Sequence, residues 1–117
     1  MKIDDYNLTN DAKFLLSSMY KEYLERRQNN TDKSKARLFD DIANIQKIMT
    51  EWSHGDVLDT CSELRRKKLI NAIPASDTLL NISLTTDAIS LLEVSFKDKI
   101  DNVLEYATKI KSLIPFI

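Results

Sequence analysis

The chain has 117 residues, 30% of them charged and 43% hydrophobic, with a net charge of −1 and a single cysteine. That length supports one modest core but not two, so residues 1–117 read as a single domain. The near-neutral balance excludes a chain-wide positive field toward nucleic acid or an anionic membrane, leaving only local patches for such binding. One cysteine excludes an intrachain disulfide and fits a reducing compartment.

No apolar run approaches the ~18 residues of a bilayer span, and the start of the chain lacks the apolar stretch of a signal peptide. The expectation is a cytoplasmic protein without a membrane partner. A single Gly and two Pro make the chain poor in breakers, which favours helices and short connections. Residues 1–7 are polar, carry Asp4 and Asp5, and are expected to fray. A first helix starts at Thr9 or Asn10, both good caps, and runs to about Arg27. Its buried stripe is Ala12, Leu15, Leu16, Met19 and Tyr23, with Leu24 beside it and Glu22, Glu25, Arg26 and Arg27 on the wet side. Phe14 lies off the stripe and is expected to cover an edge of the core.

After a polar loop, a short turn over residues 35–39 is expected to bury Leu38 and Phe39. Asp40 or Asp41 then opens a second helix through about Glu51, with Ile42, Ile45, Ile48 and Met49 inward. Trp52 is placed to plug the corner before the next helix. That helix begins at Ser53-His54-Gly55-Asp56, the spacing of a capping box. Val57, Cys61 and Leu64 recur at i, i+4 and i+7, with Leu58 widening the stripe, so one side of it faces a core. Cys61 on that stripe reads as a small buried hydrophobe.

The run Leu64-Arg65-Arg66-Lys67-Lys68-Leu69-Ile70 should end the helix and begin a strand. Pro74-Ala75-Ser76-Asp77 supplies turn chemistry, and Leu80-Asn81-Ile82-Ser83-Leu84 alternates as a returning strand does. Thr85-Thr86-Asp87 caps the last helical region, which contains no Gly before its Pro115 stop. This region is one long helix, or two with a bend near Lys97-Asp98. Ile89, Leu92 and Phe96 begin its apolar stripe. Ile100, Val103, Leu104, Ala107, Ile110 and Ile114 continue it, either as a homodimer seam over residues 97–114 or as a surface packed back on the first helix.

Leu64-Arg65-Arg66-Lys67-Lys68-Leu69-Ile70, the hairpin, and Leu84-Thr85-Thr86-Asp87-Ala88 together resemble winged-helix regulators of the MarR and PadR type over roughly residues 42–96. In size and layout the chain also resembles the YjcQ family, small winged-helix proteins of Gram-positive bacteria and their phages. These resemblances imply an α+β, mostly helical winged helix-turn-helix with one β-hairpin wing and a long C-terminal helix. They imply a small DNA-binding transcriptional regulator, of phage or mobile-element origin. The chain departs from the first pattern at Lys68 and Ala88, where those families carry Gly. Lys68 must therefore adopt a left-handed conformation, at roughly 1 kcal/mol relative to Gly, or leave the helix by another turn.

On double-stranded DNA the resemblance would lay the third helix in the major groove, with its start against base edges. That start carries Asp56, Asp59 and Glu63, and no Arg or Lys precedes Arg65, so the bidentate reading of guanine lacks a donor. The cations stand in two clusters: Lys33, Lys35 and Arg37, then Arg65, Arg66, Lys67 and Lys68. They are expected to hold phosphates, with His54, Thr60 and Ser62 as the candidates nearest to bases. The rival expectation is a protein-interaction module whose acidic face, Asp56, Asp59 and Glu63, docks on a basic partner.

Catalysis has no support in the residues. The single histidine, His54, has no nucleophile or acid at a spacing that suggests a triad or a metal set. No Gly-rich phosphate loop is present. The expectation is a non-enzyme without metal or cofactor.

Overall fold

The computed structural model describes residues 1–97 and 99–115. Six α-helices and a three-stranded antiparallel sheet are found among them: α1 (Asn10–Gln28), α2 (Lys33–Ala36), β1 (Leu38–Asp40), α3 (Ile42–Ile48), α4 (His54–Arg66), β2 (Ile70–Ala75), β3 (Thr78–Leu84), α5 (Thr86–Phe96) and α6 (Ile100–Lys111).

Short polar side chains start four of the helices. The Thr9, Asp41, Ser53 and Thr85 side chains accept from the amides of Ala12, Asn44, Asp56 and Ala88, satisfying donors that the helix leaves open. In α4, Val57, Thr60, Cys61 and Leu64 are buried, so the expected stripe is one position wider, with Thr60 on it. Phe14 leans on Trp52, ring centroids 6.2 Å apart, and Trp52 closes the α3–α4 corner, where the Gln46 side chain donates to its carbonyl.

Lys68 takes the left-handed route out of α4, with φ 62°. The Leu69 amide donates to the Leu64 carbonyl and the Lys68 amide to that of Arg65. This is the double-bonded helix terminus usually built on Gly, and it brings Leu69 against Leu64, both fully buried. Thr85 then ties the start of β2 to the end of β3: its amide donates to Leu69, and its hydroxyl to the carbonyls of Lys68 and Leu69.

The hairpin is narrower at its tip than expected. Pro74 and Ala75 lie within β2, and only Ser76 and Asp77 stand between the paired residues Ala75 and Thr78. The register shifts between Asn71 and Ile73, where Asn81, at φ 52°, bulges from β3. On β2, Pro74 removes an amide from the open edge, and the Arg65 guanidinium donates to the Ala72 carbonyl.

Two expectations are corrected, and an open one is decided. The sheet has a third strand: β1 pairs with β3 rather than closing a helical turn, and Leu38 is exposed at 37% while Phe39 is buried. Arg26 explains the turn into β1, since it donates to the Ala36 and Leu38 carbonyls and lies 4.5 Å over the Phe39 ring. Of the two alternatives for the C-terminal region, the structure has two helices. The amide of Lys97, left-handed at φ 54°, closes α5 on Glu93, and α6 starts separately; Asp98 lies outside the described residues. Residues 1–7 do not fray as a polar tail. Ile3 is buried, its amide donates to Ser95 Oγ at 2.8 Å, and Asp4 meets Tyr106 and Lys13.

The helix α6 packs on α1 of its own chain. Val103 and Ile110 are buried there, and Ile100, Ala107 and Ile114 are half-buried. The stripe expected to serve as a dimer seam is therefore mostly covered within the chain, with Leu104 left 41% exposed.

Candidate nucleic-acid interface

The two basic clusters are far apart in sequence, and the sheet brings them to one end. Both outer strands run antiparallel to β3 in the order β1-β3-β2. The residues that precede β1 and β2 must therefore flank the end of β3. Leu38 pairs with Ser83 and Ile70 with Leu84, so the starts of β1 and β2 are separated by two strand spacings, about 10 Å. Hydrogen bonds tie each strand start to the same junction: the Leu84 amide donates to the Arg37 carbonyl, and Thr85 donates to the Lys68 carbonyl.

The start of α5 stands between the clusters. On one side, Lys33 and Arg37 line a cleft of about 430 Å³ that Thr86 also walls. On the other, Arg65, Arg66 and Lys68 line a second hollow of about 520 Å³, walled by Thr85 and Asp87. Lys35 and Lys67 are exposed beside their clusters. Arg27 joins the first cleft at the end of α1, a cation that the sequence placed only on a wet face. Its signal was there, because a basic last turn of α1 precedes Lys33 by one short loop. The first-turn amides of α5 add a partial positive charge to this end, and Asp87 subtracts from it.

The candidates for base contact do not assemble. Thr60 is 4% exposed and its hydroxyl donates to the Asp56 carbonyl, so it cannot meet a base edge. Ser62 is half-buried and donates to Leu58. His54 is exposed, but at the opposite end of α4 from Arg65 and Arg66.

That opposite end is acidic. Burial, and then the nearby carboxylates of Asp56, Glu63 and Asp59, push the Asp11 carboxyl above its ordinary value. Asp11 thus extends the acidic face from α4 onto the start of α1. Glu63 is committed within the chain: it accepts the Thr9 amide at 2.8 Å and the Thr9 hydroxyl at 2.6 Å.

Cys61 is buried, and burial pushes its thiol up to about 12, which leaves little thiolate at neutral pH. Among the described residues no cluster of three His, Cys, Asp or Glu side chains could hold a metal ion, and no helix is long and apolar enough to cross a membrane. Compared with protein-family models, curated proteins and solved structures, the chain finds no match in any of the three.

Proposed function

We propose that the chain is a small winged helix-turn-helix protein that binds duplex DNA through its phosphates and serves as a regulator. The element order, with a short strand before the helix pair and a hairpin after it, supports the winged-helix reading. The convergence of Arg37 and Lys68 on the Leu84–Thr85 junction carries the DNA reading. It gathers Lys33, Arg37, Arg65, Arg66 and Lys68 on one end of a chain whose net charge is −1. Binding of this kind is sequence-tolerant, because phosphate contacts position a duplex without reading it. The acidic start of α4 faces away from the phosphates in this arrangement rather than lying in the major groove.

The test is the salt dependence of binding to a fluorescent duplex. Counterion release gives a log–log slope of about −0.9 per phosphate neutralised. Arg65→Ala with Arg66→Ala should weaken binding strongly and flatten the slope by about two contacts' worth. Binding that is absent at low salt, or unchanged in this variant, overturns the proposal.

A second reading rests on the acidic patch of Asp11, Asp56 and Asp59, which would dock a basic protein surface. Reversal of Asp56 and Asp59 to Lys separates the two, since it abolishes partner binding under this reading and spares duplex binding under the first.

A further inference from the structure

The cleft beside α5 has features that phosphate binding does not use. Its cations come from three separate segments, Arg27 at the end of α1, Lys33 on α2 and Arg37 ahead of β1. Beneath them Tyr23, Leu24 and Ile89 form an apolar floor. Among the described residues neither Lys33 nor Arg37 has an ion-pair partner, although the chain carries 18 acidic residues against 17 basic ones. Arg27 donates once, to the Thr31 carbonyl, and its remaining N–H groups are available. The lining carries these three cations against one carboxylate, Glu93, so the hollow is net positive and favours an anion.

We propose that this cleft is a binding site for a small amphipathic anion. Its charged group would lie among Arg27, Lys33 and Arg37, and its apolar part on Tyr23, Leu24 and Ile89. The volume of about 430 Å³ falls at the lower end of the range for small-molecule sites. A duplex phosphate has no use for the floor, and a neutral apolar ligand leaves the cations unmet. Thr86, Ile89 and Glu93 of α5 line the same wall at i, i+3 and i+7, so Glu93 sits two turns from the α5 start. Its carboxylate offsets part of the positive charge, so a single anionic group is enough to occupy the cations opposite it. The site stands whether or not the chain binds DNA, because its test contains no nucleic acid.

The experiment is a titration of the full-length, isotope-labelled chain with octanoate, followed through backbone amide shifts. Saturable shifts at Thr86, Ile89 and Lys33 are expected, with a dissociation constant in the low millimolar range for a ligand of this size. Lys33→Ala with Arg37→Ala should weaken it about tenfold. Glu93→Gln should strengthen it about two- to threefold, a gain that misfolding cannot produce. Arg65→Ala should leave it unchanged, and inorganic phosphate should bind at least about tenfold more weakly, lacking the apolar part. No saturation by about 20 mM, phosphate binding as tightly as octanoate, equal weakening in Arg65→Ala, or shifts confined to the α1–α6 groove at Phe14 and Leu104 would each overturn the proposal.

Discussion

The phenol of Tyr106 donates to Asp4 Oδ1 at 2.7 Å, joining residues 102 positions apart. Asp4 also pairs with Lys13 at 3.4 Å, so the chain start is fastened to α6 and α1 together. The Tyr106 hydrogen bond is the largest cause holding the Asp4 carboxyl below its ordinary value, with Lys13 adding to it against partial desolvation. Burial, followed by the same bond, pushes the Tyr106 phenol well above its usual range.

Tyr106→Phe should therefore destabilise the fold by about 1 kcal/mol, reduced from the value of a buried charged hydrogen bond because Asp4 is more than half exposed. Asp4 has the lowered value in the folded state. Its contribution is complete above the ordinary carboxylate value of 3.8 and is lost as pH falls through the depressed one. Denaturant melts at neutral pH and at pH values stepping down below 3.8 check both points, and the difference between variant and parent should shrink as the pH falls.

Lys68 holds φ 62° at a position that suits Gly. Lys68→Gly should raise stability by about 0.5–1 kcal/mol, the relief of left-handed strain less the added freedom of the unfolded chain. It should also weaken duplex binding, since one phosphate contact is removed. Opposite signs in a melt and a binding titration would mark Lys68 as a residue retained for its charge.

Glu63 accepts two hydrogen bonds from Thr9, the residue that caps α1. Glu63→Ala should cost about 1–2 kcal/mol, with amide exchange accelerated first at the start of α1. A loss within experimental error would mean that solvent replaces Glu63 without consequence.

The Asp11 carboxyl should titrate above the ordinary carboxylate value of 3.8. Burial raises it, and Asp56, Glu63 and Asp59 add repulsion. Because its folded value is raised, stability contributed through Asp11 declines as pH rises from 3.8 through that value. Asp56→Asn with Asp59→Asn should lower it, as carboxyl carbon shifts in a pH titration would record.

Reversing Asp56 and Asp59 to Lys should leave duplex affinity intact or increase it, because the change adds positive charge to an exposed surface. Loss of binding would place the start of α4 in contact with the nucleic acid.

Much of the local structure was legible in the residues themselves. Caps at Thr9, Ser53 and Thr85, the inward stripe of Val57, Cys61 and Leu64, and the alternation before Leu84 are written within a few positions of where they act. The left-handed exit at Lys68 was one of two ways to end α4 and begin β2 without a glycine, and it is the one the chain takes. The break at Lys97 stood as one of two alternatives, because Lys is not a breaker and the apolar stripe continues on either side of it.

Sequence by itself determined the helices, their caps, their apolar faces and the hairpin, since those depend on periods and side chains a few residues apart. Tertiary structure decided that Leu38 to Asp40 would form a strand, that α6 would lie on α1, and that Thr60 would turn inward. It also decided that Arg37 and Lys68 would flank the end of β3. Those outcomes depend on partners far along the chain, where burial and hydrogen bonding across the whole fold outweigh any local preference.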